Sequence, residues 1–159
     1  MIQAQKYNGG LTSEQFLFYE IKIAARFYLS GKAVDEAIQL IKQDNLFQYP
    51  TERKISKMTR ACYRRLDALG NRTLAEELYN APAEIARQIN LYAMMRYNRL
   101  VWEFMTTVIG EKFRDQDFAF SRRDLNAFFT RLQEQSDDVA IWSEQTVKKI
   151  KSVLVKSLV

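Results

Sequence analysis

Five glycines and two prolines are spread over 159 residues, and that shortage limits the fold more than any other feature. Hairpins and sandwich corners need glycine- or proline-set backbone about every 8–12 residues. Helices need a break only at their ends. So few breakers leave long stretches, and apolar residues recur in them at helical spacing. In "AVDEAIQLIKQDN", Val34, Ala37, Ile38 and Ile41 follow steps of 3, 4 and 7, the rhythm of one buried face. With 47% hydrophobic and 13% aromatic residues there is ample material for an interior. The sequence predicts an all-α, compact multi-helix globular domain.

The breakers also divide the chain. Residues 1–12 read as a polar arm ending in "YNGGLT", where Gly9 and Gly10 exclude a helix. A helix is expected over 13–29, with Ser13 as its cap and Gly31 as its stop. After the second helix, "LFQYP" turns the chain, and Thr51 caps a third helix running to Leu69. Gly70-Asn71 then closes an N-terminal lobe, 13–70, of three helices in helix-turn-helix-like order. Residues 71–159 form a C-terminal helical lobe sharing one core with it. Here "RTLAEELYN" is a short helix, and a long one runs from about Pro82 to Ile109. "GEKFRDQDFAF" reads as a loop, Ser121 and Asp124 as a capping signal, "DDVAIW" as one turn, and Ser143 as the cap of the last helix. That helix turns Val147, Ile150, Leu154 and Leu158 inward and Lys149 and Lys156 outward. It meets no stop signal before Val159, which points to a longer natural chain.

The net charge is +5, and "TERKISKMTRACYRR" holds six basic residues and one acidic one, so the rest of the chain sums to zero. On a helix at 100° per residue, Arg53, Lys57, Arg60 and Arg64 share one ridge, flanked by Lys54 and Arg65. Ile55, Met58, Cys62, Leu66 and Leu69 fall on the opposite side. A solvated helix gains by alternating signs, whereas like charges at spacings of 4, 3 and 4 repel unless something negative neutralises them. Arg53, Lys54, Lys57, Arg60, Arg64 and Arg65 are therefore the candidate nucleic-acid-binding residues, against the plainer reading of a solvated face. A basic third helix is also what a helix-turn-helix places in the major groove, although the connection before it is longer than the tight form. Phosphate contact gives affinity without sequence reading, and of these side chains only the arginines have the fork for guanine. Lys148, Lys149 and Lys151 form a secondary basic cluster, plain surface being its simpler explanation.

Other chemistry is sparsely provided. There is no histidine, which removes Ser-His-Asp and Cys-His arrangements and imidazole metal sites. The lone Cys62 lies within the apolar stripe and suits a reducing compartment. Asp115 and Asp117 read as loop acids rather than a magnesium site. "SGKA" at 30–33 lacks the glycine and hydroxyl of a phosphate loop, and Tyr7, Tyr63 and Tyr97 read as packing residues first and base-stacking ones second. The most apolar window, Ile89 to Ile109, contains Arg96, Asn98, Arg99 and Glu103, so it reads as a buried helix, not a membrane span. No metal, cofactor or membrane is expected, and the cytoplasm is the expected location.

In order along the chain, "YNGGLT", "EIKIAARFYLSGKAVDEAIQLIKQDNLFQ", "TERKISKMTRACYRRL" and "WSEQTVKKIKSVLVKSL" resemble the BrxA family of bacteriophage-exclusion (BREX) defence islands. The resemblance spans Tyr7 to Leu158. It implies an all-α fold compared with the antitermination protein NusB, DNA binding, and a methyltransferase, an alkaline-phosphatase-like protein and an ATPase as neighbours. The family supplies no catalytic residues to carry over. Together the residues and the resemblance predict a non-enzymatic nucleic-acid-binding component of phage defence, with duplex DNA ahead of RNA. The alternative is an assembly adaptor whose basic helix docks on an acidic partner protein.

Overall fold

The computed structural model describes residues 5–158, and among them the secondary structure is helix and turn, with no strand. The all-α expectation holds. The chain divides into two compact units, Phe16–Tyr97 and Met1–Gln15 with Asn98–Val159.

The unit Phe16–Tyr97 contains α1 (Phe18–Leu29), α2 (Val34–Gln43), α3 (Glu52–Leu69), α4 (Arg72–Asn80) and α5 (Ala83–Tyr97). Its ends follow local chemistry. The Thr51 hydroxyl accepts from the Lys54 amide, and Asn71 does the same for Leu74 at the start of α4. Gly31 and Gly70 stop α1 and α3 in the left-handed region, at φ of 79° and 62°, where a Cβ is disfavoured. α3 is central, packed against α1, α2 and α5. Ile21, Ala24 and Ala25 of α1 meet Cys62, Leu66 and Leu69 of α3, with Leu78 of α4 and Ala86 and Ala93 of α5. A second cluster joins Ile41, Phe47, Ile55 and Met58. The alanines let backbones approach closely, and the whole apolar stripe foreseen on α3 is buried.

Two expectations change in this unit. Helix α1 begins at Phe18, not Ser13. The preceding Leu17 sits at φ 54°, and the Phe16 carbonyl accepts from Arg65 Nη1 (2.6 Å) and Asn90 Nδ2 (2.7 Å), both buried. That tether fixes the entry to α1 and bends the chain there. The break expected at Gly70-Asn71 is a turn within this unit, because α4 and α5 complete the packing around α1 and α3.

In the other unit, a 3₁₀ turn at Gly10–Thr12 packs on the last helix, and Ser13 only ends that turn. Here α6 (Arg99–Glu103), a π-helical segment (Phe104–Ile109) and α7 (Gly110–Arg114) follow one another without a gap. The single helix expected over 82–109 is thus broken at Asn98, whose buried Oδ1 accepts from the amides of Leu100 and Val101 and starts a new helix. Helix also continues beyond Ile109, where a loop is expected. The Thr106 and Thr107 hydroxyls donate to the Trp102 and Glu103 carbonyls, and a Cβ on Gly110 would approach the Met105 carbonyl to 3.2 Å. Glycine serves there as a close approach inside a wide π turn, not as a stop.

Helix α8 (Arg122–Gln135) opens on the foreseen Ser121–Asp124 signal, the Ser121 amide donating to the Asp124 carboxylate (2.8 Å). Next come α9 (Asp137–Ala140) and α10 (Glu144–Ser157), the latter capped by Ser143. Leu100, Phe104, Leu125, Phe128, Phe129, Val139, Ile150 and Leu154 are buried, with Phe104 edge-on to Phe128 and Phe120. No helix among the described residues is long and apolar enough to cross a membrane.

Candidate nucleic-acid interface

Because α3 buries Ile55, Met58, Cys62, Leu66 and Leu69, the side of α3 opposite them faces outward. Arg53, Lys54, Lys57 and Arg60 are exposed there. Among the described residues, neither Arg53 nor Lys57 has a carboxylate partner. Arg60 Nη2 pairs with Asp35 Oδ1 of α2 at 2.9 Å, but both side chains are at least half exposed, and such a pair is worth only about 0–1 kcal/mol. Lys54 Nζ rests 4.7 Å from the centre of the Tyr49 ring. Arg64 is half-buried, its guanidinium 5.6 Å from the Tyr97 ring centre.

Arg65 does not belong to this surface. It is 2% exposed and its guanidinium faces the core, donating to the Phe16 carbonyl. The helical angle carried the signal: Arg65 lies about 120° from Arg53, only about 20° from the apolar arc. The secondary cluster lies on α10 of the other unit. Lys148 and Lys149 are exposed, while Lys151 Nζ donates to Asn126 Oδ1 (2.9 Å) and lies 5.4 Å from the Phe129 ring centre.

A cleft of about 540 Å³ opens beside the ridge, lined by Tyr28, Lys32, Arg60, Tyr63, Arg64 and Asp67 among others. Sequence reading missed Lys32, because "SGKA" carries no complete motif. The fold places it there just past Gly31, where α1 ends, with Glu36 at 3.8 Å. The cleft walls are held: Tyr28 donates to Asp67 (2.9 Å) and Tyr63 to the Lys32 carbonyl (3.0 Å), the two rings meeting edge to face. Burial, then Glu36, pushes the Tyr63 hydroxyl up to about 12, and burial, then Asp67, raises Tyr28. Both phenols therefore stay neutral, and the positive charge at the rim is that of Lys32, Arg60 and Arg64. Asp67 in the wall, Glu36 beside Lys32 and Asp35 on Arg60 match those three cations in number.

Among the described residues no group of three or more histidine, cysteine, aspartate or glutamate side chains could hold a metal ion. Asp117 is engaged instead by Lys112, at 3.0 Å.

The profile of the BrxA family matches residues 5–159. The "BREX protein BrxA" of Bacillus cereus (strain H3081.97) is 31% identical over 158 residues, covering 99% of this chain and 78% of its own length.

Proposed function

The chain belongs to the BrxA family, and from that premise we propose that it is a non-enzymatic component of a BREX-type phage-defence system that holds duplex DNA against α3. One observation carries this reading. Arg53 and Lys57 stand exposed one turn apart on a helix whose other side is core, with no carboxylate of the described residues paired to them. Phosphates would relieve their repulsion, and Arg60 can exchange a weak surface pair for a stronger charge-assisted contact. A helix about 10–12 Å across also suits the major groove, which is about 12 Å wide. With no histidine in the sequence, the side chain most often used for acid–base catalysis is missing, which favours a binding role.

The test is a gel-shift titration of a short duplex with wild type and with Arg53→Glu, Lys57→Glu. Both side chains are exposed, so the variant folds, and its affinity falls at least about tenfold. Unchanged affinity removes α3 from the reading. Negligible wild-type affinity for duplex, single-stranded DNA and RNA, together with co-purification of one acidic BREX protein, selects the adaptor role instead.

A further inference from the structure

The duplex reading leaves the cleft beside α3 unused. Its volume of about 540 Å³ lies within the range of about 300–1,000 Å³ usual for small-ligand sites. Its charges balance, so it gives a phosphate no net attraction. What it offers instead is hydrogen-bonding groups sorted by kind. Asp67 Oδ1 accepts from the Tyr28 hydroxyl, and a carboxylate has about four lone-pair sites, so acceptor capacity remains. The phenolic oxygens of Tyr28 and Tyr63, each already donating its proton, add further acceptors. The donor set apart from these is Lys32, whose pair with Glu36 joins two exposed side chains at 3.8 Å and is weak. Gly31, Ala33, Val34 and the two tyrosine rings supply the apolar remainder.

That combination selects among planar ligands with no net charge. Guanine carries two adjacent donors on one edge, N1–H and the N2 amine, and two adjacent acceptors on another, O6 and N7. A carboxylate accepts the first pair, and a lysine or arginine is the commonest specific partner of the second. Adenine and cytosine set an acceptor next to their amine, and thymine has no amine, so none of them offers a carboxylate two adjacent donors. Arg60 borders the cleft and stands on the ridge of α3 as well, so a strand whose phosphate it holds runs past the opening.

We infer that the cleft holds a guanine base, with Asp67 accepting from N1–H and the N2 amine and Lys32 donating to O6 and N7. The inference rests on the α3 reading for the source of that base, an unpaired guanine of the bound strand. Taking a base out of the stack costs least where it is already unpaired. A free guanine nucleotide is the other source of the same chemistry.

The experiment measures anisotropy of labelled duplexes with the full chain, fully paired or with one bulged guanine, hypoxanthine or adenine. Calorimetric titrations with guanosine and inosine monophosphates accompany it, hypoxanthine being guanine without the N2 amine. Wild type binds the guanine bulge at least about tenfold more tightly than the other three duplexes. Ala33→Trp fills the cleft, and Asp67→Asn replaces an acceptor oxygen by a donor; each brings that ratio to within about twofold. Both positions are exposed, and should circular dichroism show one variant unfolded, the other gives the same reading. Paired-duplex affinity is unchanged in Ala33→Trp. Arg53→Glu, Lys57→Glu weakens every duplex alike and keeps the ratio, so the α3 reading fails in the paired duplex and the cleft fails in the ratio. A preference for guanosine over inosine monophosphate without any duplex binding, lost in Ala33→Trp, keeps the cleft for guanine and makes the free nucleotide its source. The inference is overturned if guanine has no advantage over hypoxanthine in either form, or if the advantage survives both substitutions.

Discussion

At the scale of single residues, two arginines twelve positions apart on one helix have opposite environments. Arg53 is solvated, while Arg65 is 2% exposed and donates, with Asn90, to the carbonyl of Phe16. Removing a buried cation leaves its acceptor short of a donor and a space behind its stem. Arg65→Ala should therefore cost about 3 kcal/mol in urea unfolding and leave duplex affinity of the folded protein unchanged. Loss of affinity with unchanged stability would return Arg65 to the interface. The ridge of Arg53, Lys57 and Arg60 was legible from spacing alone, because exposure there is the complement of a regular apolar stripe. The helical angle put Arg65 at the edge of that stripe, but its partner was not legible, because the acceptor lies 49 residues away and only the fold brings it near. The same holds for Asp35, which reaches Arg60 from a different helix.

At the scale of elements, ends governed by neighbouring residues were readable. Thr51, Asn71, Ser143 and the Ser121–Asp124 pair all start helices through side-chain contacts within three residues. Asn98 does so as well, but in an apolar run it was read as a polar residue inside a helix. The segment from Gly110 reads as a loop because a glycine's local preference says nothing of the π turn before it. The braced loop after α7 gives a pH prediction. Lys112, then the Ala119 amide, holds the Asp117 carboxyl below the ordinary range, and the Ser121 amide leads in doing so for Asp124. Carboxylates lowered on folding stabilise above about pH 4 and lose that contribution as the pH falls through their lowered values. Lys112 is raised, first by its hydrogen bond to Asp117, so its share persists up to the ordinary lysine range and fades as the pH rises through the raised value. Hydrogen exchange at the Ala119 and Ser121 amides, corrected for intrinsic rate, should stay protected between pH 5 and 9 on this account and quicken below about pH 4. Protection that declines steadily from pH 9 to pH 5 would contradict the brace.

At the scale of the whole molecule, the uneven charge seen first in one short segment persists in the folded units. Phe16–Tyr97 holds 13 Lys and Arg against 9 Asp and Glu, whereas the other unit holds 11 against 10. The excess therefore sits on the unit that presents α3, and electrostatic attraction to phosphate should dominate its affinity. Counterion release gives that claim a number. If Arg53, Lys54, Lys57 and Arg60 each meet one phosphate, log affinity for duplex falls against log salt with a slope of about −3.6. The decisive measurement is that slope for wild type and for Arg53→Gln, Lys57→Gln, in which two contacts are gone. The account predicts about −3.6 falling to about −1.8; equal slopes in the two proteins, or no salt dependence in either, would contradict it.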